Sequence, residues 1–331
     1  MIASGVDYRP WEGQRLDDDQ CFICGAELDP STYTKEDVIP RWMQREIAKR
    51  KHSRPFMELP NETAIALGKI LVPACRTCNN AHLSGQEKSI SGAFKKGPFE
   101  VRKLPEQTLR IWFAKIAYGL RRNDLRLKRD RSDPASLTVA ARGDVEQLAH
   151  LHLLLQEVRD VVYIPDPHST FFVFEAQEAD CGACDFDAAF PIGWPYPVML
   201  RLGNTVVMGA VDDRRLLTVL RSHSAFKAAA KLKLHPIQVR ALWAILLHTA
   251  TMLNPSSATL RFGVTGNRLL VRSELGGGPV LDMTRSKVSV DKVLQNLIGM
   301  PEDELAAQGG AVGLLVDKNG DPREMVFEHN A

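Results

Sequence analysis

"CFIC" at residues 21–24 and "LVPACRTCNN" at residues 71–80 each contain two cysteines spaced as Cys-x-x-Cys. Two thiolates at this spacing on a tight turn can reach one tetrahedral Zn²⁺ ion at about 2.3 Å, and a second pair completes a four-sulfur shell. A shell closed in this way is typical of a structural zinc site. About fifty residues separate the pairs, so we expect further structure to fold between them. The predicted ligands are Cys21, Cys24, Cys75 and Cys78.

The composition is that of a globular protein, with 331 residues, 44% hydrophobic and 25% charged residues, and a net charge of +2. The polar N-terminal segment lacks the apolar core of a signal peptide. The longest apolar run, residues 241–253, is shorter than the roughly 20 residues that span a bilayer. We therefore expect a cytoplasmic protein with no membrane partner, whose reduced cysteines bind metal rather than form disulfides.

Hydrophobic patterning predicts a mixed α+β fold. Two short strands should form a hairpin around Gly68, and Gly203-Asn204 should join two longer strands. Alternating apolar and polar residues at 258–264, 268–273, 313–317 and 323–329 predict C-terminal strands. Glycine and proline between residues 92 and 106 predict a linker. Helices are expected at residues 41–51, 106–124, 144–160 and 236–253.

A chain of this length favours two domains. We expect an N-terminal arm at residues 1–20 and a small metal-stabilised domain at residues 21–92, because that region holds too little apolar sequence to fold unaided. A larger mixed α+β domain should cover residues 105–331. Its role, whether recognition, regulation or assembly of a homodimer, is not indicated by any motif.

Between the cysteine pairs lies "EDVIP", residues 36–40, and the second pair continues as "CRTCNN". With these motifs, residues 20–90 resemble an HNH endonuclease of the ββα-metal superfamily, in the branch whose nuclease domain is held by zinc. The resemblance implies a small N-terminal ββα-metal domain and a catalytic Mg²⁺ or Mn²⁺ ion. It places Glu36 and Asn79 as ligands of that ion, with Asn80 and His82 as neighbouring candidates.

The sequence departs from the family pattern at the general base, because Asp37 stands where the family has histidine. An aspartate with an unperturbed pKa of about 3.9 is a much weaker base than histidine. Asp37 could be a second carboxylate on the metal, or His82 or His52 could supply the base. A second departure is Ile70, where the family has an asparagine; Asn61 is the nearest upstream substitute.

Glu87 follows Asn79 by eight residues, about two helical turns, and so falls on the same helix face. It could bind the same cation, hold a ligand in place, or be a solvated surface residue. Glu36 and Asp37 also have a plain alternative, because acidic pairs are common where helices begin.

Basic residues follow the acidic pair at Arg41, Arg45, Lys49 and Arg50, and a second basic run occupies residues 121–131. Lysine and arginine contacts to backbone phosphates dominate affinity for nucleic acid. Few aromatic residues interleave these charges, which favours duplex over single-stranded nucleic acid. The alternative is a solvated helix face.

A third pair, Cys181 and Cys184, has no partner pair in the chain. It could bind a second zinc with Asp180, Asp185 or another protomer, act as a redox motif, or consist of two thiols with no special task.

These observations predict a metal-dependent endonuclease that hydrolyses phosphodiester bonds of nucleic acid, duplex DNA being favoured, with a role in bacterial defence as one setting. The alternative is a catalytically inactive HNH-like zinc module that binds DNA without cutting it.

Overall fold

The computed structural model describes residues 18–51, 56–58, 61–146, 148–178 and 186–325, and its fold is mixed α+β as predicted. The chain forms two compact units. Unit 1 contains Met1–Lys95, Leu104–Asp166 and Arg261–Arg272; unit 2 contains Lys96–Lys103, Pro167–Leu260 and Ser273–Ala331. The predicted domain boundaries at 21–92 and 105–331 stay a prediction. Residues 1–17 of the predicted arm lie outside the described residues.

The first part of the chain alternates short strands and helices. In order they are β1 (Tyr33–Asp37), α1 (Arg41–Lys51), β2 (Phe56–Glu58), β3 (Ala64–Ala66), β4 (Leu71–Cys75) and α2 (Ser84–Lys96). β1 pairs antiparallel with β4, so that Glu36 lies opposite Val72. A π-helical turn, Thr77–Leu83, leads from β4 into α2. The order of β1, β4 and α2 is therefore strand, strand, helix.

The predicted hairpin around Gly68 is wrong. β3 pairs with β2 and β4 pairs with β1, while a 3₁₀ turn, Leu67–Lys69, separates β3 from β4. Burial of apolar side chains decides which strands pair. Val72 and Ala74 on β4 are buried, and β4 pairs with β1. A glycine between two apolar runs does not specify that pairing.

The predicted linker at residues 92–106 is largely helical. α2 continues to Lys96 and α3 occupies Pro98–Arg102. Gly97 adopts a φ of 98°, a conformation that glycine tolerates and that ends α2. Pro98 then begins α3, where its fixed φ is favourable. Glycine and proline here separate two helices rather than open a loop.

Unit 1 continues with α4 (Glu106–Asp124), α5 (Arg142–Glu146), α6 (Ala149–Leu155) and β5 (Val162–Tyr163). α4 agrees with its prediction, whereas the helix expected at 144–160 is divided into α5, α6 and a 3₁₀ turn. An aromatic cluster holds α1, α2 and α4 together. Trp42 stacks on Trp112 with ring centroids 6.1 Å apart, and Phe94 contacts both rings.

The later elements are β6 (Thr170–Ala176), β7 (Phe186–Ala189), β8 (Pro197–Leu202), β9 (Thr205–Ala210), α7 (Ser224–Ala229), β10 (Lys233–Leu234), α8 (Pro236–Met252), β11 (Ala258–Thr265), β12 (Arg268–Leu275), α9 (Val290–Ile298), α10 (Glu302–Ala307) and α11 (Gly310–Gly313). Unit 2 contains a five-stranded sheet in the order β10-β6-β9-β8-β7. The β8–β9 hairpin turns at Gly203-Asn204 as predicted.

β11 and β12 confirm the strands predicted at residues 258–264 and 268–273. The strand predicted at residues 313–317 is wrong, because α11 ends at Gly313 and a turn then places Leu314 and Leu315 in the core of unit 2. Most of the strand predicted at residues 323–329 lies outside the described residues. α8 crosses this core with Leu242, Trp243 and Leu246 fully buried. None of the helices in the described residues is long and apolar enough to cross a membrane.

Candidate functional site

The four cysteines of the two Cys-x-x-Cys pairs come together in unit 1. Their sulfur atoms all lie within 4.8 Å of one another, and the Sγ atoms of Cys24 and Cys75 are 3.8 Å apart. A tetrahedral zinc with bonds of about 2.3 Å requires sulfur–sulfur distances of about 3.8 Å. The cluster could therefore hold a metal ion such as zinc. It is the one grouping of metal-binding side chains found in the described part of the chain.

The electrostatics of the cluster favour a bound cation. The hydrogen bond from Cys24, and then burial, raise the pKa of the Cys21 thiol to about 11. Contacts with Cys21 and Cys24 raise the pKa of Cys78 well above the usual range. Contacts with Cys21 and Cys78 lower the pKa of Cys24. The Cys24 thiolate is thus stabilised by its neighbours, whereas Cys21 and Cys78 favour the protonated thiol. Four thiolates can coexist here only around a cation, which deprotonates the thiols that bind it.

Both turns that carry the cysteines are held by specific contacts. In the first turn, the amide of Gly25 donates to the carbonyl of Cys21, and Gly25 has a φ of 71° that suits glycine. In the second, the amide of Cys78 donates to the sulfur of Cys75 over 3.4 Å. The amide of Phe22 also bonds to the carbonyl of Pro73, which joins the first turn to β4.

Side chains at the end of helix α6 form hydrogen bonds with the turn that carries Cys21 and Cys24. His152 Nε2 and Gln156 Nε2 lie 2.8 and 2.9 Å from the carbonyl oxygen of Ile23, between the first two cysteines. Burial lowers the pKa of His152 to about 4, so the ring is neutral and can donate one N–H to that carbonyl. The turn is thereby fixed to α6, which follows it by more than 120 residues.

Glu36, predicted to bind a divalent cation, forms a buried ion pair with Lys115 on α4. Lys115 Nζ lies 2.5 Å from Glu36 Oε1 and 2.9 Å from Glu87 Oε1, and it donates to the carbonyl of Asp37 over 2.6 Å. The lysine side chain is 1% exposed. Glu36 and Glu87 therefore do converge on one cation, but that cation is an ammonium group of the chain itself.

Burial and charge act in opposite directions on this group of residues. Burial raises the pKa of Glu36, and the attraction of Lys115 partly opposes the rise. Burial alone would lower the pKa of Lys115, but the charges of Glu36 and Glu87 outweigh it and raise the pKa. The lysine is therefore positively charged.

Mg²⁺ prefers six oxygen ligands in octahedral geometry at about 2.0–2.1 Å. At this position the ammonium of Lys115 already lies between the two carboxylates and uses their oxygens. The residues present therefore do not fit a catalytic Mg²⁺ or Mn²⁺ ion.

Asp37 lies on the opposite face of β1 from Glu36, as expected for neighbours on a strand. Its carboxylate binds Arg41 Nε over 2.8 Å and Gln44 Nε2 over 3.3 Å. These residues, with Arg45 and Lys69, line a surface hollow of about 480 Å³. The predicted general base is thus part of a cationic surface.

A second hollow, of about 290 Å³, continues along the same face of β1. Its lining includes Tyr33 and Lys35 from β1, Arg126 and, again, Lys69. Because Lys69 lines both hollows, they adjoin. We call their combined surface the Lys69 groove. Its charged lining residues are Lys35, Asp37, Arg41, Arg45, Lys69 and Arg126.

The remaining candidates lie in or just after the π-helical turn. Asn79 Nδ2 donates to Thr34 Oγ1 over 3.1 Å, on the same face of β1 as Glu36. Asn80 is exposed and its carbonyl accepts from Ser84. His82 is half-buried, and no contact among the described residues brings it to Glu36. The structure thus brings Asn79, Glu87 and Glu36 to one face of β1. No hydrogen bond or ion pair among the described residues joins the side chains of Asn80 and His82 to them.

The other predicted site residues are Lys49, Arg50, Asn61 and a group that lies outside the described residues. Lys49 pairs with Glu46 over 2.9 Å on the exposed side of α1, and Arg50 is half-buried on the same helix. Asn61 donates to the carbonyl of Lys128 over 2.7 Å, away from Asp37. His52, Asp180, Cys181, Cys184 and Asp185 lie outside the described residues.

Comparison of the chain with protein-family models, with curated proteins and with solved structures finds no match.

Sequence reasoning missed Lys115, His152 and Lys69. Lys115 had a visible signal, because it interrupts the apolar run "IWFAKIAYGL" of α4. A charged residue within such a run suggests a buried ion pair. His152 and Lys69 had no signal of this kind, since each acquires its role from residues far away in the sequence.

Replacing Lys115 tests whether the ion pair is structural. We expect Lys115→Met to lower the free energy of unfolding by about 3–5 kcal/mol, because Glu36 would remain as an unpaired buried charge. Denaturant unfolding followed by circular dichroism measures the change. Adding Glu36→Gln to this variant should recover part of the loss.

Lys49→Met is the matched control, because Lys49 forms an exposed pair with Glu46. Exposed pairs contribute at most about 1 kcal/mol. Similar losses for Lys49→Met and Lys115→Met would contradict a structural role for the buried pair.

Proposed function

We propose that the chain is a zinc-stabilised, HNH-like protein that binds the phosphate backbone of duplex DNA through the Lys69 groove without cutting it. The single observation that carries this proposal is the charge of the groove, whose lining holds five cationic residues and one acidic residue. Multiple lysine and arginine contacts to phosphate are the main source of affinity for nucleic acid.

The availability of these cations supports the proposal. Lys35, Arg45 and Lys69 are exposed and form no ion pair with the other residues that the structure describes. Arg41 pairs with Asp37, and Arg126 pairs with Asp18 over 3.0 Å across exposed surface. The Arg126–Asp18 pair is exposed at both ends and therefore weak, so a phosphate group can replace Asp18. The Arg41 side chain is 74% exposed, so it can contact a phosphate while Asp37 stays in place.

Phosphodiester hydrolysis is the second candidate function. Its support is the resemblance of residues 20–90 to an HNH endonuclease and the convergence of Glu36 and Glu87 from β1 and α2. It ranks second because Lys115 occupies the place between those carboxylates, and because Asp37 replaces the expected histidine and pairs with Arg41.

The proposed zinc is structural. Its four cysteines leave no coordination position open for water or substrate. Cys21 and Cys24 precede β1, whereas Cys75 and Cys78 follow it at the junction of β4 and the π-helical turn. A metal bound by the four cysteines would fix both ends of residues 25–74. This segment carries all the charged residues of the Lys69 groove except Arg126.

We expect the purified protein to contain one zinc ion per chain, measured by inductively coupled plasma mass spectrometry. Cys24→Ser should lose the metal and lower the melting temperature, because metal binding contributes to folding free energy. Cys181→Ser serves as the control and should keep both values. Full zinc content in the Cys24→Ser variant would contradict the proposed shell.

The groove is tested by fluorescence anisotropy with a labelled DNA duplex at several salt concentrations. Lys69→Ala and Arg45→Ala should each weaken binding and reduce the slope of log K against log salt by about 0.9, the value for one phosphate contact. Lys318→Ala removes an exposed charge from unit 2 and should change neither. Equal weakening by all three substitutions would indicate that the groove is not the binding surface.

A plasmid-nicking assay separates the two candidate functions. We expect the wild-type protein to bind DNA but leave supercoiled plasmid intact in Mg²⁺ and in Mn²⁺, because Lys115 holds Glu36 and Glu87. Nicking that disappears with EDTA and in the Glu36→Ala and Asn79→Ala variants would reverse the ranking. Nicking by Asp37→His alone would instead attribute the lost activity to the missing histidine.

A further inference from the structure

A second group of polar side chains lies in unit 2 and is not part of the Lys69 groove or the cysteine cluster. His168 Nε2 lies 2.7 Å from Asp212 Oδ1, and Ser273 Oγ lies 2.7 Å from His168 Nδ1. His168 and Asp212 are fully buried, whereas Ser273 on β12 is partly exposed. A serine, a histidine and an aspartate are therefore joined in one chain of hydrogen bonds that ends at the surface.

The direction of the protons follows from the chemistry of the three groups. An ionised carboxylate can only accept hydrogen bonds, so Nε2 of His168 must carry the proton that bonds to Asp212. In the neutral ring Nδ1 is then unprotonated, and it accepts from the hydroxyl of Ser273. Arg214 Nε, 3.7 Å from Asp212 Oδ1, favours the ionised carboxylate. The lone pair of Nδ1 is thus directed at the serine hydroxyl.

The backbone around Asp212 is conformationally strained. Tyr196, Arg214 and Arg215 have φ values of 57°, 52° and 67°, which residues other than glycine rarely adopt. The amide of Asp212 bonds to the carbonyl of Pro195, and that of Arg215 bonds to the carbonyl of His168. Strained backbone held by surrounding contacts is concentrated at functional sites. Here it fixes both the aspartate and the histidine.

We propose that Ser273 is an activated nucleophile and that this group is a hydrolytic site for small carboxylic esters. A serine, base and orienting carboxylate are recognised by their geometry and roles, not by their positions in the sequence. The enclosure of His168 and Asp212 leaves Ser273 as the contact point for a substrate, which favours a small acyl group. This site is independent of nucleic-acid binding.

In the first step Ser273 Oγ attacks the ester carbonyl carbon, and its proton passes to His168 Nδ1. The bond from carbon to the leaving alkoxide then breaks, and His168 returns the proton to release an alcohol. In the second step water attacks the acyl-serine with His168 again accepting a proton. A carboxylic acid leaves, and Ser273 regains its hydroxyl hydrogen. Asp212 holds the ring throughout and is a positioning residue.

The test uses the whole 331-residue chain with a fluorophosphonate probe, which a nucleophilic serine attacks with loss of fluoride. Tryptic residues 273–285 contain Ser273 as their only serine, and residues 241–261 contain the exposed Ser256 as an unactivated reference. We expect Ser273 to react at least about 10²-fold faster than Ser256, the usual range of general-base assistance. The difference should vanish in urea, where the hydrogen-bonded group is lost.

Hydrolysis of p-nitrophenyl acetate provides the second measurement. Ser273→Ala should abolish both the adduct and the esterase activity, while Ser256→Ala should leave both unchanged. His168→Gln should slow labelling of Ser273 to the rate of Ser256. Absence of the adduct on residues 273–285, equal rates at the two serines in the native protein, or esterase activity that persists in Ser273→Ala would each overturn the proposal and leave a purely structural hydrogen-bonded group.

Discussion

Four sulfur atoms within 4.8 Å of one another are the constraint on which the architecture of unit 1 depends. As thiolates they repel, and as thiols they contribute little to stability, so a bound cation would make the arrangement favourable. The cluster joins a turn before β1 to the end of β4, and His152 and Gln156 attach that turn to α6. One metal would therefore connect three segments that are far apart in the sequence.

The alternation of side chains along β1 separates two kinds of charge. Thr34 and Glu36 face inward, where Asn79 and Lys115 bind them. Tyr33, Lys35 and Asp37 face outward along the Lys69 groove. A period of two residues thus gives the adjacent carboxylates of Glu36 and Asp37 two different environments. Glu36 is neutralised inside the protein, and Asp37 lies within a cationic surface.

The sequence predicted features that depend on local pattern and failed on features that depend on distant partners. The two Cys-x-x-Cys turns, α4 and the turn at Gly203-Asn204 each follow from spacing within a short window. The two cysteine pairs meet across about fifty residues, and this was predictable because a tetrahedral zinc needs four ligands. The partner of β4 was wrong because burial against β1, 34 or more residues earlier, decides it. The ion pair of Glu36 was missed for the same reason, since Lys115 is 79 residues away.

The ion pair of Lys115 in unit 1 and the Ser273–His168–Asp212 group in unit 2 differ in whether a proton can be transferred. Lys115 donates to Glu36, Glu87 and the carbonyl of Asp37, so each proton on its ammonium has an acceptor and no position is left for a ligand. A saturated group of this kind stabilises one conformation. The hydrogen bonds from Asp212 through His168 end instead at a hydroxyl whose proton can move to Nδ1 as Oγ forms a new bond. A nucleophilic site needs an atom that can form a new bond in this way, and in unit 2 that atom is Oγ of Ser273.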